Sequence, residues 1–250
     1  MSNHKSLFAI NSMKKAGAYL AEIFALLPQQ IVAGISTGAI DSWISDELKK
    51  RSMISQSMGY HGYRHVSCIS VNDEVVHGVP SPHKIIKRGD LIKVDVCAAW
   101  GGYCADMARC YFVEESNDKA QKLVDVAYSS LDKGIEQALV GKRIGDISAA
   151  IQHEVERHGF GVVRDFAGHG IGKKMHEDPE ILNYGQAGRG PLIRAGMAFA
   201  IEPMITLGDY EIVVLKDGWT AKTVDNSLAA HVEDTIIVTD NGPIITTRLN

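Results

Sequence analysis

Apolar positions recur at helical spacing early in the chain. Met13, Ala16, Leu20, Ile23, Phe24 and Leu27 form one stripe, predicting a helix over 12–27 with Ser12 as its cap and Pro28 just beyond. Ile40, Trp43, Ile44 and Leu48 form another, predicting a helix that starts at Ser36-Thr37. The polar, glycine-punctuated stretch 55–65 reads as a loop, and Val66–Val71 and Val75–Val79 read as strands. Leu91–Val113 holds two β-rich apolar runs joined at Trp100-Gly101-Gly102, a hairpin signal. Each run carries one carboxylate, Asp95 and Asp106. A hairpin symmetric about the Trp100–Gly101 bond would set them directly opposite, with Cβ atoms roughly 4.5–5.5 Å apart. Two carboxylates so close repel unless a proton or a cation lies between them, so the hairpin suggests a metal site.

The pattern then repeats. Asn117 can cap a helix to about Val140 that buries Leu123, Val124, Ala127, Leu131, Ile135 and Leu139, with Gly141 after it. Asp146 can cap another that buries Ile147, Ala150, Ile151 and Val155 and ends near Gly159. Strand material returns at Gly161–Ala167, Met197–Thr206, Glu211–Leu215, Trp219–Val224 and Leu228–Thr239. Two helices followed by strands, twice over, predict an α+β fold of duplicated halves, with two helix pairs covering one curved, largely antiparallel sheet. No linker-like tract divides the chain, so residues 1–250 are expected to form one domain, with a short N-terminal extension over about 1–7.

Composition narrows the function. Hydrophobic residues at 45% and charged residues at 22% are ordinary for a water-soluble chain of 250 residues. A net charge of −4 gives no electrostatic reason to expect nucleic acid or an anionic membrane as partner. No run approaches the ~18 apolar residues of a membrane span. Cys68, Cys97, Cys104 and Cys110 lack C-x-x-C spacing, so reduced thiols and a cytoplasmic location are expected.

Three further segments carry metal-type ligands. His169 stands among Gly168, Gly170 and Gly172, where backbone can turn sharply or approach a ligand. Glu202 ends the apolar run Ala198–Ile201, and Glu233 lies in the last long strand. A lone buried glutamate is usually an ion-paired core residue, but Lys93 and Arg109 are too few to pair four carboxylates. Four carboxylates balance two divalent cations, and one imidazole among oxygens suits Mn, Fe, Co or Zn better than Ca.

In that order and context, Asp95, Asp106, His169, Glu202 and Glu233 resemble the dinuclear metal site of methionine aminopeptidases, which have the creatinase-like "pita-bread" fold. The likeness extends to Gly59-Tyr60-His61-Gly62-Tyr63, to His77-Gly78-Val79-Pro80, to His176-Glu177-Asp178-Pro179, to Ile201-Glu202-Pro203-Met204 and to Asp217-Gly218-Trp219-Thr220. It covers nearly the whole chain. The short strand-like stretch between Glu202 and Glu233 resembles type I members, since type II members carry a helical subdomain there. The resemblance implies removal of the initiator methionine from nascent polypeptides with a small second residue, by attack of metal-activated water on the first peptide bond. It implies His77, His176 and Glu202 as catalytic residues. It also implies a methionine pocket that includes Tyr60, Tyr63, Cys68, Met175 and Trp219 beside His77 and His176. A monomer in transient contact with the ribosome is the implied working form. Three positions depart from type I usage: Met107 after Asp106 and Asp234 after Glu233 look prolidase-like, and Ser57 stands where a cysteine is frequent. The alternatives are an X-Pro peptidase of the same fold and a metal-free peptide-binding or ribosome-binding module.

Overall fold

The computed structural model describes residues 5–249, and within that range the two-fold repeat of helix pair and strands is present. The first half comprises helices α1 (Leu7–Leu26) and α2 (Thr37–Lys50), followed by strands β1 (Ile54–Ser55), β2 (Cys68–Val71), β3 (Glu74–Val76), β4 (Leu91–Trp100) and β5 (Tyr103–Phe112). The second comprises α3 (Asp118–Glu136) and α4 (Ile144–Glu156) and then β6 (Gly161–Val162), β7 (Ala167–Gly170), β8 (Glu177–Leu182) and β9 (Ala198–Ile201). It ends with β10 (Met204–Thr206), β11 (Ile212–Val214), β12 (Ala221–Thr223), β13 (Ala229–His231), β14 (Glu233–Thr239) and β15 (Gly242–Ile245).

Local chemistry explains the helix starts. Ser6 accepts from Ala9 N and Ser36 from Ala39 N, while Asn117 accepts from both Lys119 N and Ala120 N. Two starts differ from expectation. Helix α1 begins at Leu7 rather than Ser12, because Ser6 supplies the cap; Ser12 lies buried within the helix. Helix α4 is flanked by Arg143, and Asp146 sits inside it, accepting from the Arg143 backbone N–H to complete a capping arrangement. Leu139 falls beyond the end of α3 and is 36% exposed, not inward.

The large sheet runs β1-β4-β5-β14-β9-β7-β8, with β2 added to β4 and β15 to β14, and every pairing is antiparallel. Strand alternation sorts its two faces. Ile92, Val94, Val96 and Ala98 on β4, with Ala105 and Met107 on β5, pack into one core under α1 and α2. Ile201, Ile236 and Val238 pack into a second core under α3 and α4. The intervening residues, Asp95, Asp106 and Glu233 among them, therefore point to the opposite face. β5 and β14 join the halves at the centre through Glu233↔Ala108 and Asp234↔Met107. Thr235 extends that joint, since its Oγ1 accepts from Asp106 N at 2.8 Å and donates to Asp106 O at 2.9 Å.

The hairpin register differs from the symmetric one. Gly101 and Gly102 both have positive φ, 59° and 79°, as a two-residue turn of the tight hairpin type requires, so Trp100 pairs with Tyr103. Asp95 thus opposes Ala108 and Asp106 opposes Cys97. The two aspartates keep a common face but are diagonal rather than directly opposed.

Several strands are shorter or more broken than their apolar runs. Met197–Thr206 breaks at Glu202-Pro203 and Leu228–Thr239 at Val232. Both breaks mark the crossing from the large sheet to a small one ordered β13-β10-β6. Gly161–Ala167 yields only a two-residue strand, while β8 and β15 form from sequence too polar or too short to announce a strand. The stretch 55–65 contains a single 3-10 turn, Tyr60–Gly62. All four cysteines are free thiols, and among the described residues no helix is long and apolar enough to cross a membrane.

Candidate metal centre and active site

Every candidate residue from the sequence reaches one cavity of about 1160 Å³, whose lining includes Asp95, Asp106, His169, Glu202 and Glu233. At its floor, ligand atoms of Asp106, His169 and Glu233 lie within 4.8 Å of one another, as do those of Glu202, His231 and Glu233. Asp95 abuts Asp106, near enough for one carboxyl to hydrogen-bond the other. Its register partner on β2 is Cys68.

Neither nearby cation neutralises this cluster. The buried Lys93 ammonium donates to Asn72 O at 2.7 Å, and Arg109 is taken up by Asp234 and by backbone carbonyls. Burial among like charges therefore pushes the carboxyls far from their usual range. Desolvation raises Asp106 to about 7, with the Glu202 charge adding to it. Desolvation alone lifts Glu202 to about 8. Asp95 and Glu233 are raised well above normal, by burial first and the Asp106 charge second. Glu233 Oε1 is buried and finds no hydrogen-bond partner among the described residues.

His169 shows what this pit suits. Its Nδ1 faces Gly170 O at 3.0 Å, and since a carbonyl only accepts, Nδ1 carries the proton. Burial and the neighbouring His176 hold the ring neutral, with its pKa lowered to about 4. A bare Nε2 lone pair thus faces Glu202 Oε1 at 3.6 Å and Asp106 Oδ2 at 3.9 Å. A lone pair aimed at carboxylate oxygens is repulsive unless a proton or a cation stands between them. The donor set, oxygens with one imidazole fixed through its other nitrogen, fits divalent transition metals.

Above the floor the cavity becomes aromatic and sulfur-rich. Tyr60, Tyr63, Cys68, Met175 and Trp219 line it, as do Ser57, His77 and His176. Tyr63 packs edge-on against Trp219 at 4.9 Å and anchors its hydroxyl on Ser67 O at 2.9 Å. His77 adopts φ 58°, a left-handed backbone uncommon outside glycine, and its ring meets Phe166 edge-on at 5.0 Å. Gly78 beside it must be glycine, because a Cβ there would lie 2.4 Å from Ile69 O. Burial, then His231 and His176, lower His77 to about 4, so it too is neutral. His176 lies 4.4 Å from the His169 ring and shares a 2.9 Å hydrogen bond between Nδ1 and the Tyr60 hydroxyl.

Two of the three departures from type I usage turn away from this cavity. Met107 is buried in the core under α1 and α2. Asp234 forms ion pairs of 2.6 Å with Arg109 and 2.7 Å with Arg248 and accepts from Thr247 Oγ1. Ser57 alone of the three lines the cavity. The sequence reading missed His231, buried beside Glu202. Its available signal was the two-residue spacing from Glu233, which suggests a shared strand face.

Residues 11–240 match the family profile described as metallopeptidase family M24. The chain belongs to that family. Among its M24 relatives, it is 45% identical over 238 residues to a methionine aminopeptidase of Clostridium acetobutylicum, which covers 95% of each chain. It is 42% identical to methionine aminopeptidase 1 of Bacillus subtilis, again over 95% of each. A crystal structure of methionine aminopeptidase from Thermotoga maritima superposes with a TM-score of 0.97 at 43% identity, covering all of both chains. A prolidase from Pyrococcus horikoshii shares the fold at a TM-score of 0.78 and 22% identity, this chain spanning 64% of it. The chain is thus an M24 metal-dependent exopeptidase with the pita-bread fold, on the methionine aminopeptidase side of the family.

Proposed function

We propose that this chain, as a single catalytic domain over 1–250, releases methionine from the N-terminus of nascent polypeptides and peptides whose second residue is small. One juxtaposition carries the reading: a carboxylate pit suited to metal directly adjoins a pocket walled by Tyr60, Tyr63, Cys68, Met175 and Trp219. Aromatic and sulfur groups contact a thioether favourably, and a walled end rejects longer side chains. The names of the relatives agree with it.

Asp95, Asp106, His169, Glu202 and Glu233 would hold two divalent ions, drawn from Mn, Fe, Co or Zn, because four carboxylate charges match two such ions. When bound, the ions polarise the scissile carbonyl and acidify a water. Glu202 takes the proton of the attacking water. The tautomer of His176 that accepts a hydrogen bond from the Tyr60 hydroxyl at Nδ1 would carry Nε2–H, which donates to the oxygen that becomes negative during attack. His77, neutral and held by its strained backbone, hydrogen-bonds the leaving amide nitrogen, to which Glu202 returns the proton taken from the water.

All the proposed site residues come from one chain, so a monomer suffices. Four free thiols support the cytoplasm as compartment, where nascent chains and transient ribosome contact are at hand. The test is metal-titrated hydrolysis of Met-Ala-Ser beside an Xaa-Pro peptide. Release of methionine from the first and no turnover of the second is the expected result. Xaa-Pro cleavage without methionine preference would move the chain to the prolidase-like activity, and no hydrolysis at all would leave a peptide-binding module.

A further inference from the structure

His231 lies buried against Glu202 and has no part in the chemistry proposed above. It ends β13, opposite Met204 on β10, and it is 1% exposed. One residue later the chain leaves the small sheet for β14 of the large one. Its partner makes the same crossing at Glu202-Pro203, from β9 to β10. The backbones are thinly tied there: Pro203 has no N–H, and Val232 N reaches Pro203 O only at 3.4 Å. Glu202 thus stands where regular sheet hydrogen bonding lapses.

Two side chains replace the missing ladder. Asn183 Nδ2 donates to the Glu202 carbonyl at 3.0 Å, which fixes the backbone. His231 Nε2 lies 3.2 Å from Glu202 Oε2, which fixes the carboxylate. The other oxygen, Oε1, faces His169 Nε2 at 3.6 Å and so looks into the ligand cluster. The two oxygens of Glu202 therefore occupy different environments.

We propose that His231 is a positioning residue for Glu202: its Nε2–H engages Oε2 and leaves Oε1 free for the metal and the attacking water. This deepens the function proposed above and rests on Glu202 being both ligand and base. A carboxylate with two equivalent oxygens can rotate or chelate one ion through both, and either motion removes the base from its place. A neutral imidazole donor holds one oxygen without adding charge. Direct ligation is the competing role, because a His231 ligand atom lies within 4.8 Å of those of Glu202 and Glu233, and the experiment below separates the two. Outer hydrogen-bond partners of metal ligands typically govern affinity or activity by about 10–100-fold.

The experiment compares His231→Gln, whose amide reaches Oε2, with His231→Asn, of like polarity but too short. Mn²⁺ affinity is measured by calorimetry on metal-stripped protein, the visible spectrum of the Co²⁺-loaded protein is recorded, and kcat and KM on Met-Ala-Ser are determined. Thermal melting of the metal-free forms reports folding. The expected result is that the Asn variant loses about 10–100-fold in Mn²⁺ affinity or kcat with KM little changed, and that the Gln variant recovers most of it, with a wild-type Co²⁺ spectrum. Equal losses in both variants with an altered Co²⁺ spectrum would make His231 a direct ligand and overturn the proposal. Wild-type affinity and kcat in the Asn variant would overturn it equally. The metal readouts need no substrate, so a wild-type protein that binds Mn²⁺ but leaves Met-Ala-Ser intact would refute the aminopeptidase reading and not this one.

Discussion

Glu233 and Asp234 are consecutive on β14, exposed by only 2% and 0%, and turned to opposite sides of the strand. Asp234 meets Arg109, Arg248 and Thr247, so its charge is fully compensated within the protein. Glu233 meets other carboxylates, retains an oxygen without a hydrogen-bond partner, and has its pKa raised well above normal by burial. The contrast separates two uses of a buried carboxylate one residue apart. The first ties the C-terminal segment to the sheet. The second is left uncompensated, which is tolerable in a folded protein only with a proton or a cation supplied from outside.

The sharpest way to break this comparison is Glu202→Gln, which removes the proposed base from the uncompensated side. Turnover of Met-Ala-Ser should fall by about 10²–10⁴-fold while the metal-free melting temperature holds or rises. Unchanged kcat would take Glu202 out of the mechanism. Next comes the pair itself. Asp234→Asn strands the part-buried Arg109, while Arg248 keeps its ion pair with Asp132, and should cost about 3–5 kcal/mol of stability, with or without metal. Glu233→Gln should instead leave the metal-free protein as stable as wild type or more so, while weakening its metal binding. Chemical denaturation of both variants with EDTA checks this, and equal losses of stability would erase the distinction.

A pH series sharpens it further. Asp106, at about 7, and Glu202, at about 8, bind protons more tightly folded than unfolded. The folded metal-free protein thus holds more protons than the unfolded chain, and these groups lower stability as pH rises toward 8. His169, His77 and His231, each lowered to about 4, oppose this only up to their ordinary value of 6.5. The rise in melting temperature on adding Mn²⁺ should therefore grow between pH 6.5 and pH 8. A constant or shrinking increment would mean the site carboxyls are already ionised without metal. The smallest effect is expected at Met107: facing the core, Met107→Leu should cost less than about 1.5 kcal/mol and leave kcat/KM on Met-Ala-Ser unaltered. A changed KM would place Met107 in the substrate's path after all.

Much of this arrangement is legible in the chain because charge in an apolar strand is conspicuous. Asp95, Asp106, Glu202 and Glu233 each interrupt a β-rich run, and the glycines around His169 mark it as special. The hairpin register was less legible. Trp100 is as much a strand residue as a turn residue, and only the positive φ of both Gly101 and Gly102 shows where the turn is centred. The diagonal placement of the aspartates follows from that one-residue difference. Apolar runs also conceal strand breaks: Val232 and Glu202-Pro203 cross between sheets within continuous hydrophobic sequence, so neither the joint nor the His231–Glu202 contact across it could be read from periodicity. Likewise, whether Asp234 belonged to the site or to an ion cluster behind it depended on Arg109, remote in sequence.

Metal stoichiometry tests the central claim most directly. Protein stripped with chelator, incubated with Mn²⁺ or Co²⁺ and desalted should retain about two ions per chain by elemental analysis, with protons released on binding as the raised carboxyls ionise. Glu233→Gln should retain fewer, and Asp234→Asn, where it folds, the full number. A wild-type chain that retains no ion, or takes up metal without releasing protons, would contradict the account.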